Sequence, residues 1–242
     1  MAALLDIPDP AAATDVFARP IECDGPLYRQ LLTRPDGRRF SAVVELGAGT
    51  GRLTAAWLEL DLTVIALEAD PRLRAALNRR FAGAIASGQL VVLPNLDKYP
   101  LQAPDTAFVA PYNVAYYFPS PVAFAAAFRP ALAAAMTIYF DVTDVSDPAE
   151  GLPPSGRLRT RTAGVFREDV IGQNDGAVTV AWYHYDQPAM RFLLHPHTPR
   201  DILRAIASVL PTSVVHRLAT GHDQETPFAI FEIAPTQTPD RT

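Results

Sequence analysis

Short apolar runs alternate with helix-like segments along the stretch between residues 41 and 142. The five runs span residues 41–46, 62–69, 89–94, 105–110 and 136–142. Strands that alternate with helices of about 10–15 residues indicate a parallel sheet. Right-handed crossovers place the carboxyl ends of such strands at one edge of the sheet, where ligands bind. The pattern therefore predicts an α/β protein with a doubly wound sheet.

The pattern changes after residue 146. Short alternating strands follow, separated by turn signals such as the run Gln173-Asn174-Asp175-Gly176. A helix over 199–210 and two closing strands come next. This order predicts an antiparallel β insert after strand five of a Rossmann-like sheet, which is mostly parallel with its last strand antiparallel.

We expect a single domain over residues 1–242 with four parts. They are an N-terminal cap (1–40), a core (41–145), the β insert (146–198) and a closing helix with strands (199–242). The cap contains an amphipathic stretch over 26–32, and the core contains an alanine-rich segment, 121–135, that is predicted to form one helix. Pro71 is predicted at the first position of another helix, where its missing N–H costs nothing.

Composition narrows the class of protein. With 49% hydrophobic and 19% charged residues, the chain can bury a sizeable core, which excludes wholesale disorder. The net charge of −5 argues against a dedicated nucleic-acid binder. Cys23 is the one cysteine, so an intrachain disulfide is impossible. No uncharged apolar run approaches about 18 residues and the N-terminus lacks a signal-peptide pattern, so we expect a cytoplasmic protein without a membrane partner.

The turn after the first strand is rich in glycine. Gly47, Gly49 and Gly51 let the backbone turn tightly and approach a ligand, and the following helix supplies free N–H groups. Glu45 precedes them, where a carboxylate would repel a pyrophosphate but suit an ammonium group. Glu68 ends the second strand, placed to accept both hydroxyls of a ribose. Strand, glycine loop, helix, strand and terminal acid therefore predict a nucleoside-binding site.

This arrangement resembles the class I S-adenosylmethionine (SAM) methyltransferases. In that family the glycine loop wraps the methionine part of SAM, the acid of the second strand binds the ribose, and the next residue, here Ala69, flanks the adenine. The adenine amine is contacted after the third strand, here by Asn95 or Asp97. The resemblance implies SAM as cofactor, with S-adenosylhomocysteine (SAH) as its product. It implies these cofactor-binding residues: Tyr28, Glu45, Gly47, Ala48, Gly49, Gly51, Glu68, Ala69, Asn95, Leu96 and Ala110. A Rossmann domain for NAD or a nucleotide sugar is the alternative.

A narrower resemblance covers residues 41–128. The runs VVELGAGTGRLTAAWL, VIALEADPRLRAAL and FVAPYNVAYYF are similar to the ribosomal RNA adenine N6-dimethyltransferases and, more loosely, to phospholipid N-methyltransferases. In the RNA enzymes the loop after strand four reads N-L-P-Y/F, and its Asn holds the target amine while the ring stacks on the flipped base. Pro111 and Tyr112 keep this pattern, but Val109 replaces the Asn. The resemblance therefore favours SAM binding over RNA methylation.

The loop after strand four is aromatic. Tyr112, Tyr116, Tyr117 and Phe118 surround Asn113 in the sequence. Phenol rings can stack on a planar acceptor, cradle the cation-like transition state of the methyl group, or donate a hydrogen bond. Tyr112 and Asn113 are therefore candidate catalytic residues, with helix-start packing as the alternative for Tyr116 and Tyr117.

Two histidines, His184 and His195, are candidates for a general base, because neutral imidazole titrates near physiological pH. His184 shares a strand face with Trp182, and His195 ends the next strand. His195 and His197 could also ligate a metal, but no third ligand lies nearby in the sequence, so no metal site is predicted. Asp141 is expected in a polar turn, with a substrate amine or Mg²⁺ as its alternative ligands.

Three arginines of the insert, Arg157, Arg159 and Arg161, alternate along one strand and so share a face. They are the best local candidates for an anion site, although such a row more often marks a solvated face or a protected edge.

Together these features predict a SAM-dependent methyltransferase that modifies O, N or C of a small aromatic or heterocyclic metabolite, as in natural product biosynthesis. Two alternatives stay open: an RNA adenine N6-methyltransferase, and a SAM-binding fold that catalyses a cyclisation or rearrangement. We expect a small-molecule substrate rather than nucleic acid, and a homodimer is compatible with the sequence.

Overall fold

The computed structural model describes residues 4–6, 21–33, 39–96, 105–152, 156–161, 164–184, 187–223 and 226–235. In these residues there are twelve strands: β1 (Leu4–Asp6), β2 (Ala42–Leu46), β3 (Thr63–Leu67), β4 (Leu90–Leu93), β5 (Thr106–Ala110), β6 (Thr137–Thr143), β7 (Arg157–Arg161), β8 (Gly164–Asn174), β9 (Ala177–His184), β10 (Gln187–Leu194), β11 (Ser213–Asp223) and β12 (Thr226–Pro235).

Seven of the strands form a central sheet in the order β11-β12-β6-β5-β2-β3-β4. The five strands from β2 to β6 run parallel to one another. Strand β12 lies antiparallel to β6, and β11 pairs antiparallel with β12. The mostly parallel sheet with an antiparallel last strand is therefore confirmed, and the carboxyl ends of β2, β3, β5 and β6 share one edge.

The α-helices of the described residues flank this sheet. They are α1 (Ile21–Leu31), α2 (Arg52–Leu58), α3 (Pro71–Arg80), α4 (Ala82–Ala86), α5 (Pro121–Ala126), α6 (Arg129–Ala133) and α7 (Pro199–Val209). Short 3₁₀ helices cover Val114–Tyr117 and Pro148–Gly151. Pro71 opens α3 as predicted, and the Asp70 carboxylate caps it by accepting the Arg72 amide hydrogen at 2.8 Å.

Two helices differ from the sequence prediction. The segment 121–135 forms α5 and α6 rather than one helix, because Pro130 has no N–H and its ring conflicts with the carbonyl four residues earlier, where α5 ends. The amphipathic stretch 26–32 is the second half of α1, which begins at Ile21 and contains Pro26.

Both faces of the central sheet are covered by apolar clusters. One cluster packs Phe108 and Phe140 of the sheet against Phe124 of α5 and Ile202 of α7. The other packs sheet residues such as Val43 against α1, α2 and α3. Burial on both faces explains why β2, β3 and β5 read as continuous apolar runs.

A second, antiparallel sheet has the strand order β1-β10-β9-β8-β7. Strands β7 to β10 are the predicted insert, and the predicted turn between β8 and β9 holds Asp175 (φ 49°) and Gly176 (φ 77°). Strand β1, which the sequence placed in the cap, pairs with β10 instead. A three-residue strand gains its stability from a partner that is distant in sequence, so local patterning does not reveal it.

One face of the insert sheet covers the carboxyl edge of the central sheet. Phe166 and Trp182 of this face form a cluster with Leu73 of α3 and Tyr117, which follows β5. The two sheets are therefore joined at the edge where a doubly wound fold binds its ligands.

Candidate cofactor and acceptor site

The three glycines after β2 have positive φ angles of 74°, 60° and 91°, and their surroundings differ. A Cβ on Gly47 would lie 2.5 Å from Cγ2 of Val114, and one on Gly51 would lie 2.4 Å from the Phe81 ring. A Cβ on Gly49 would meet no atom within 4 Å. Gly47 and Gly51 thus allow close packing, whereas Gly49 faces open space at the ligand-binding edge.

Glu68 stands beside this open space, directly after β3. Its carboxylate accepts hydrogen bonds from the amides of Gly49 and Asp70, both at 2.8 Å. Burial raises the pKa of Glu68, although the two amide hydrogen bonds lower it. The carboxylate therefore ties the glycine loop to β3 and keeps lone pairs for the hydroxyl groups of a ligand.

Glu45, the acid before the glycines, lies in the interior of the fold. Its side chain is 2% exposed and accepts the Thr54 hydroxyl hydrogen at 2.6 Å. Burial raises the pKa of Glu45 to about 7, while the Thr54 hydrogen bond and the Arg52 charge lower it. A cation that reached this carboxylate would stabilise its charged form.

The loop after β5 is clamped by a buried carboxylate. Asp141 accepts the amide hydrogens of Tyr112 at 2.8 Å and Asn113 at 2.7 Å, and the Tyr28 hydroxyl hydrogen at 2.9 Å. Tyr112 and Asn113 have φ angles of 58° and 53°, a left-handed conformation that is uncommon outside glycine. Asp141 lies within β6 and is fully buried, so the predicted polar turn is wrong. Its carboxylate instead holds the backbone of this loop, because a strand end buried by neighbouring segments needs partners for its charge.

The side chains of Tyr112 and Asn113 have different surroundings. The Arg52 guanidinium stacks 5.3 Å from the centre of the Tyr112 ring, and it pairs with buried Asp24 of α1 at 2.6 and 2.7 Å. The Asn113 side-chain oxygen is buried, and it has no hydrogen-bond partner among the described residues. The loop thus presents a fixed aromatic ring and an unsatisfied acceptor.

The insert sheet contributes a buried polar pair near this loop. The Trp182 indole N–H donates to the Glu168 carboxylate at 2.8 Å, and both residues are buried. Burial of the Tyr117 hydroxyl raises its pKa, helped by the charges of Tyr112, Glu68 and Glu168. Tyr117 therefore lies between the cofactor edge and the insert.

The other predicted cofactor residues occupy the rim and the core. Ala69 is half-buried after Glu68, Asn95 is exposed after β4, and Leu96 packs against the core of the central sheet. Ala110 is fully buried at the end of β5, and Ala48 is buried in the glycine loop. Asp97 lies outside the described residues.

The predicted histidines reach different places. The His195 amide donates to the Tyr116 carbonyl at 2.7 Å, which brings this residue to the loop after β5. His197 Nε2 lies 3.3 Å from the Phe118 carbonyl oxygen, a structural contact. The backbone of His184 belongs to β9, and its side chain lies outside the described part of the chain.

Strand β7 carries the arginine row at one edge of the described insert sheet. In β7, Arg157 lies opposite Glu168 and Arg159 opposite Phe166, and directly opposed residues of antiparallel strands share a face. Leu158, between them, is 66% exposed. Arg157 has a buried guanidinium nitrogen and so lies on the side away from Leu158, whereas the side chains of Arg159 and Arg161 lie outside the described part of the chain.

Three polar residues escaped the sequence reasoning: Asp24, Arg52 and Glu168. Their partners lie 14 or more positions away in the chain, so no local motif marks them.

The described residues contain no group of three or more metal-ligating side chains. In the same part of the chain, no helix is long and apolar enough to cross a membrane.

Comparison with known proteins gives matches over part of the sequence. No family model matches the chain. A dimethyladenosine transferase of Chaetomium thermophilum is 39% identical over 83 residues, 34% of this chain and 21% of that protein. One from Schizosaccharomyces pombe is 37% identical over 101 residues, 41% of this chain and 32% of that protein. The chain thus matches about a third or less of the length of these relatives.

Solved structures match over most of the chain. CalS10, described as an amino pentose methyltransferase from Micromonospora echinaspora with SAM bound, has a TM-score of 0.59 at 15% identity, covering 90% of this chain and 92% of that one. The CcbJ methyltransferase of Streptomyces caelestis has a TM-score of 0.58 at 14% identity, covering 89% and 90%. The glycopeptide N-methyltransferase MtfA with sinefungin has 0.53 at 19%, covering 86% and 85%. The chain therefore has the class I SAM-dependent methyltransferase fold that its sequence resembles.

Proposed function

We propose that this protein is a SAM-dependent methyltransferase that acts on a small molecule. The observation that carries the proposal is the open space at Gly49, whose amide is held by Glu68 at the carboxyl edge of a parallel sheet. A side chain at this position would fill the space. The positive φ of Gly49 (60°) is a backbone conformation that favours glycine. The fold and the partial match to methyltransferases support the same function.

The residues present fit SAM part by part. The Glu68 carboxylate suits the ribose hydroxyls, with Ala69 beside the adenine and Asn95 or Leu96 at its edge. The glycine loop suits the methionine part, and the charge of Glu45 suits its ammonium group. When bound, SAM supplies an electrophilic methyl group on a sulfonium. The chain's own contribution is to orient an acceptor and exclude water, and positioning of this kind can supply much of a rate enhancement.

A small acceptor is favoured by what covers the sheet edge. Phe166 and Trp182 of the insert pack over Tyr117 and α3. The insert therefore covers the acceptor side of the site, which leaves less room for a large acceptor. Tyr112 is held by Arg52 where its ring could stack on a planar group. His195, whose backbone amide bonds to the same loop, is our candidate to take a proton where the acceptor needs deprotonation. Two of the structural neighbours are described as methyltransferases of an amino pentose and of a glycopeptide.

Calorimetric titration with SAH tests the cofactor half of the proposal. Wild-type protein should bind SAH, and Gly49→Ala should weaken binding by about tenfold or more, because the new methyl group enters the ligand space. Gly88→Ala is the matched control, since Gly88 also has positive φ (76°) and no atom within 4 Å of an added Cβ. Backbone strain is similar in both variants, so equal losses of affinity, or no SAH binding by wild type, would refute the proposal.

RNA adenine methylation is the second candidate, favoured by the 37–39% identity to dimethyladenosine transferases. Val109, fully buried, stands where those proteins have the amine-holding Asn of the resemblance, and the net charge is −5. Incubation with labelled SAM and ribosomal RNA tests this candidate. Incorporation into RNA, with an affinity that falls steeply as salt rises, would replace the small-molecule proposal. An absence of label in RNA would dispose of this candidate.

A further inference from the structure

The Asn113 carboxamide holds a buried acceptor that the described chain does not satisfy. Its Oδ1 atom is buried and has no hydrogen-bond partner among those residues. An unsatisfied buried acceptor costs about 1–3 kcal/mol, and such groups are few in native structures, where a catalytic role is one of their explanations. A donor from a ligand would remove this cost.

Asn113 lies beside the glycine loop, so a ligand group that donates to its side chain would also lie near that loop. Val114, the next residue, lies so close to Gly47 that a Cβ there would be 2.5 Å from it. The Asn113 backbone amide donates to the Asp141 carboxylate at 2.7 Å, which fixes the backbone from which this side chain extends. The unsatisfied oxygen therefore belongs to a residue whose backbone is fixed where the glycine loop and the loop after β5 meet.

We propose that the acceptor substrate is an amine whose N–H donates to Oδ1 of Asn113, an inference that rests on the proposed function. An amide oxygen accepts a hydrogen bond but is far too weak a base to take the proton. It suits a nucleophile that reacts without being deprotonated first. A neutral amine meets this requirement, because it donates one N–H and still keeps its lone pair for attack.

The transfer balances without a further reagent. The nitrogen lone pair forms the new N–CH₃ bond while the S–CH₃ bond breaks, and its electrons return to sulfur, giving SAH. The product is an ammonium ion that later loses a proton to water. Asn113 thus orients the nitrogen, and its side chain undergoes no covalent change.

The charges around the loop favour an amine acceptor, which becomes an ammonium ion, over an oxygen acceptor, which must first become an anion. Arg52, the cation beside the Tyr112 ring, is balanced by its two-bond pair with Asp24. The Glu68 carboxylate accepts from backbone amides and forms no ion pair with the described residues, although the nearby Arg74 charge lowers its pKa. An ammonium ion is stabilised in such surroundings, whereas an alkoxide or phenolate is not.

Sinefungin tests this inference without knowledge of the natural acceptor. This SAM analogue carries an amine where SAM carries its transferable methyl group, so it presents N–H donors at the transfer position, whereas SAH presents none. The ratio of the two dissociation constants, measured by calorimetry, therefore reports an acceptor at that point. Asn113→Gly removes the carboxamide and tolerates the positive φ of 53°, and Asn113→Asp keeps an oxygen in the same place.

We expect Asn113→Gly to weaken sinefungin binding by about tenfold or more, the value of a hydrogen bond to a charged donor, and to leave SAH binding within about twofold. Asn113→Asp should restore or strengthen sinefungin binding. Parallel losses for both ligands, or no loss for either, would overturn the inference while leaving SAM binding intact. Failure of wild type to bind SAH at all would instead overturn the proposed function and the inference with it.

Discussion

Glu45→Gln should stabilise the unliganded protein at alkaline pH. Glu45 is a carboxyl group in the interior, and burial raises its pKa from 4.5 to about 7. The substitution removes the buried charge and leaves an oxygen in position to accept the Thr54 hydroxyl hydrogen, which now lies 2.6 Å from the carboxylate. Shape and volume are nearly preserved, so the change in stability should report the charge alone.

The pKa values fix the sign and the size of this effect. The folded protein holds the Glu45 proton more tightly than the unfolded chain, so this stabilisation is complete below pH 4.5 and is lost as pH rises through about 7. A change in pKa from 4.5 to about 7 is worth about 3 kcal/mol, at 1.36 kcal/mol per unit. Glu45→Gln should therefore gain up to about 3 kcal/mol over wild type at pH 8 and almost nothing at pH 4.5.

Urea denaturation without cofactor, followed by tryptophan fluorescence at pH 5 and pH 8, measures the difference. Glu59→Gln is the control, because Glu59 is 69% exposed and its surface pair with Arg29 contributes about 0–1 kcal/mol. The control should show no pH-dependent gain. A Glu45→Gln variant that is equally stable relative to wild type at both pH values, or less stable at pH 8, would refute the buried-charge reasoning.

Two further predictions concern the packing around the glycine loop. Arg52→Met leaves Asp24, which is 0% exposed, as a buried charge without its two-bond partner. Chemical denaturation should show a loss of about 3–5 kcal/mol, and Asp24→Asn in the same chain should recover most of it, whereas an unrecovered loss would refute the charge argument. Gly51→Ala places a Cβ 2.4 Å from the Phe81 ring, so thermal denaturation should show a clearly lower Tm than for Gly49→Ala, and equal Tm values would contradict the separation of packing from ligand space.

The sequence alone predicted the features that depend on neighbours in the chain. The apolar runs predicted the central sheet, because strands buried on both faces must be apolar along their length. The glycines after β2 and the acid Glu68 after β3 predicted a ligand edge, because turn geometry and strand ends are local properties. The cap of α3 at Asp70 and the hairpin at Gly176 follow from the same short-range rules.

The acceptor side depended on contacts that no local rule contains. Tyr28 and Asp141 are 113 positions apart, yet their hydrogen bond helps to hold the loop after β5. The face of the insert that covers Tyr117 is set by strand register, which places Phe166 and Trp182 side by side in that face. The unsatisfied oxygen of Asn113 exists because folding buried it, and burial is a property of the whole packed chain. The cofactor edge can therefore be predicted from short motifs. The acceptor site cannot, because it forms where segments that are distant in the sequence pack together and exclude water.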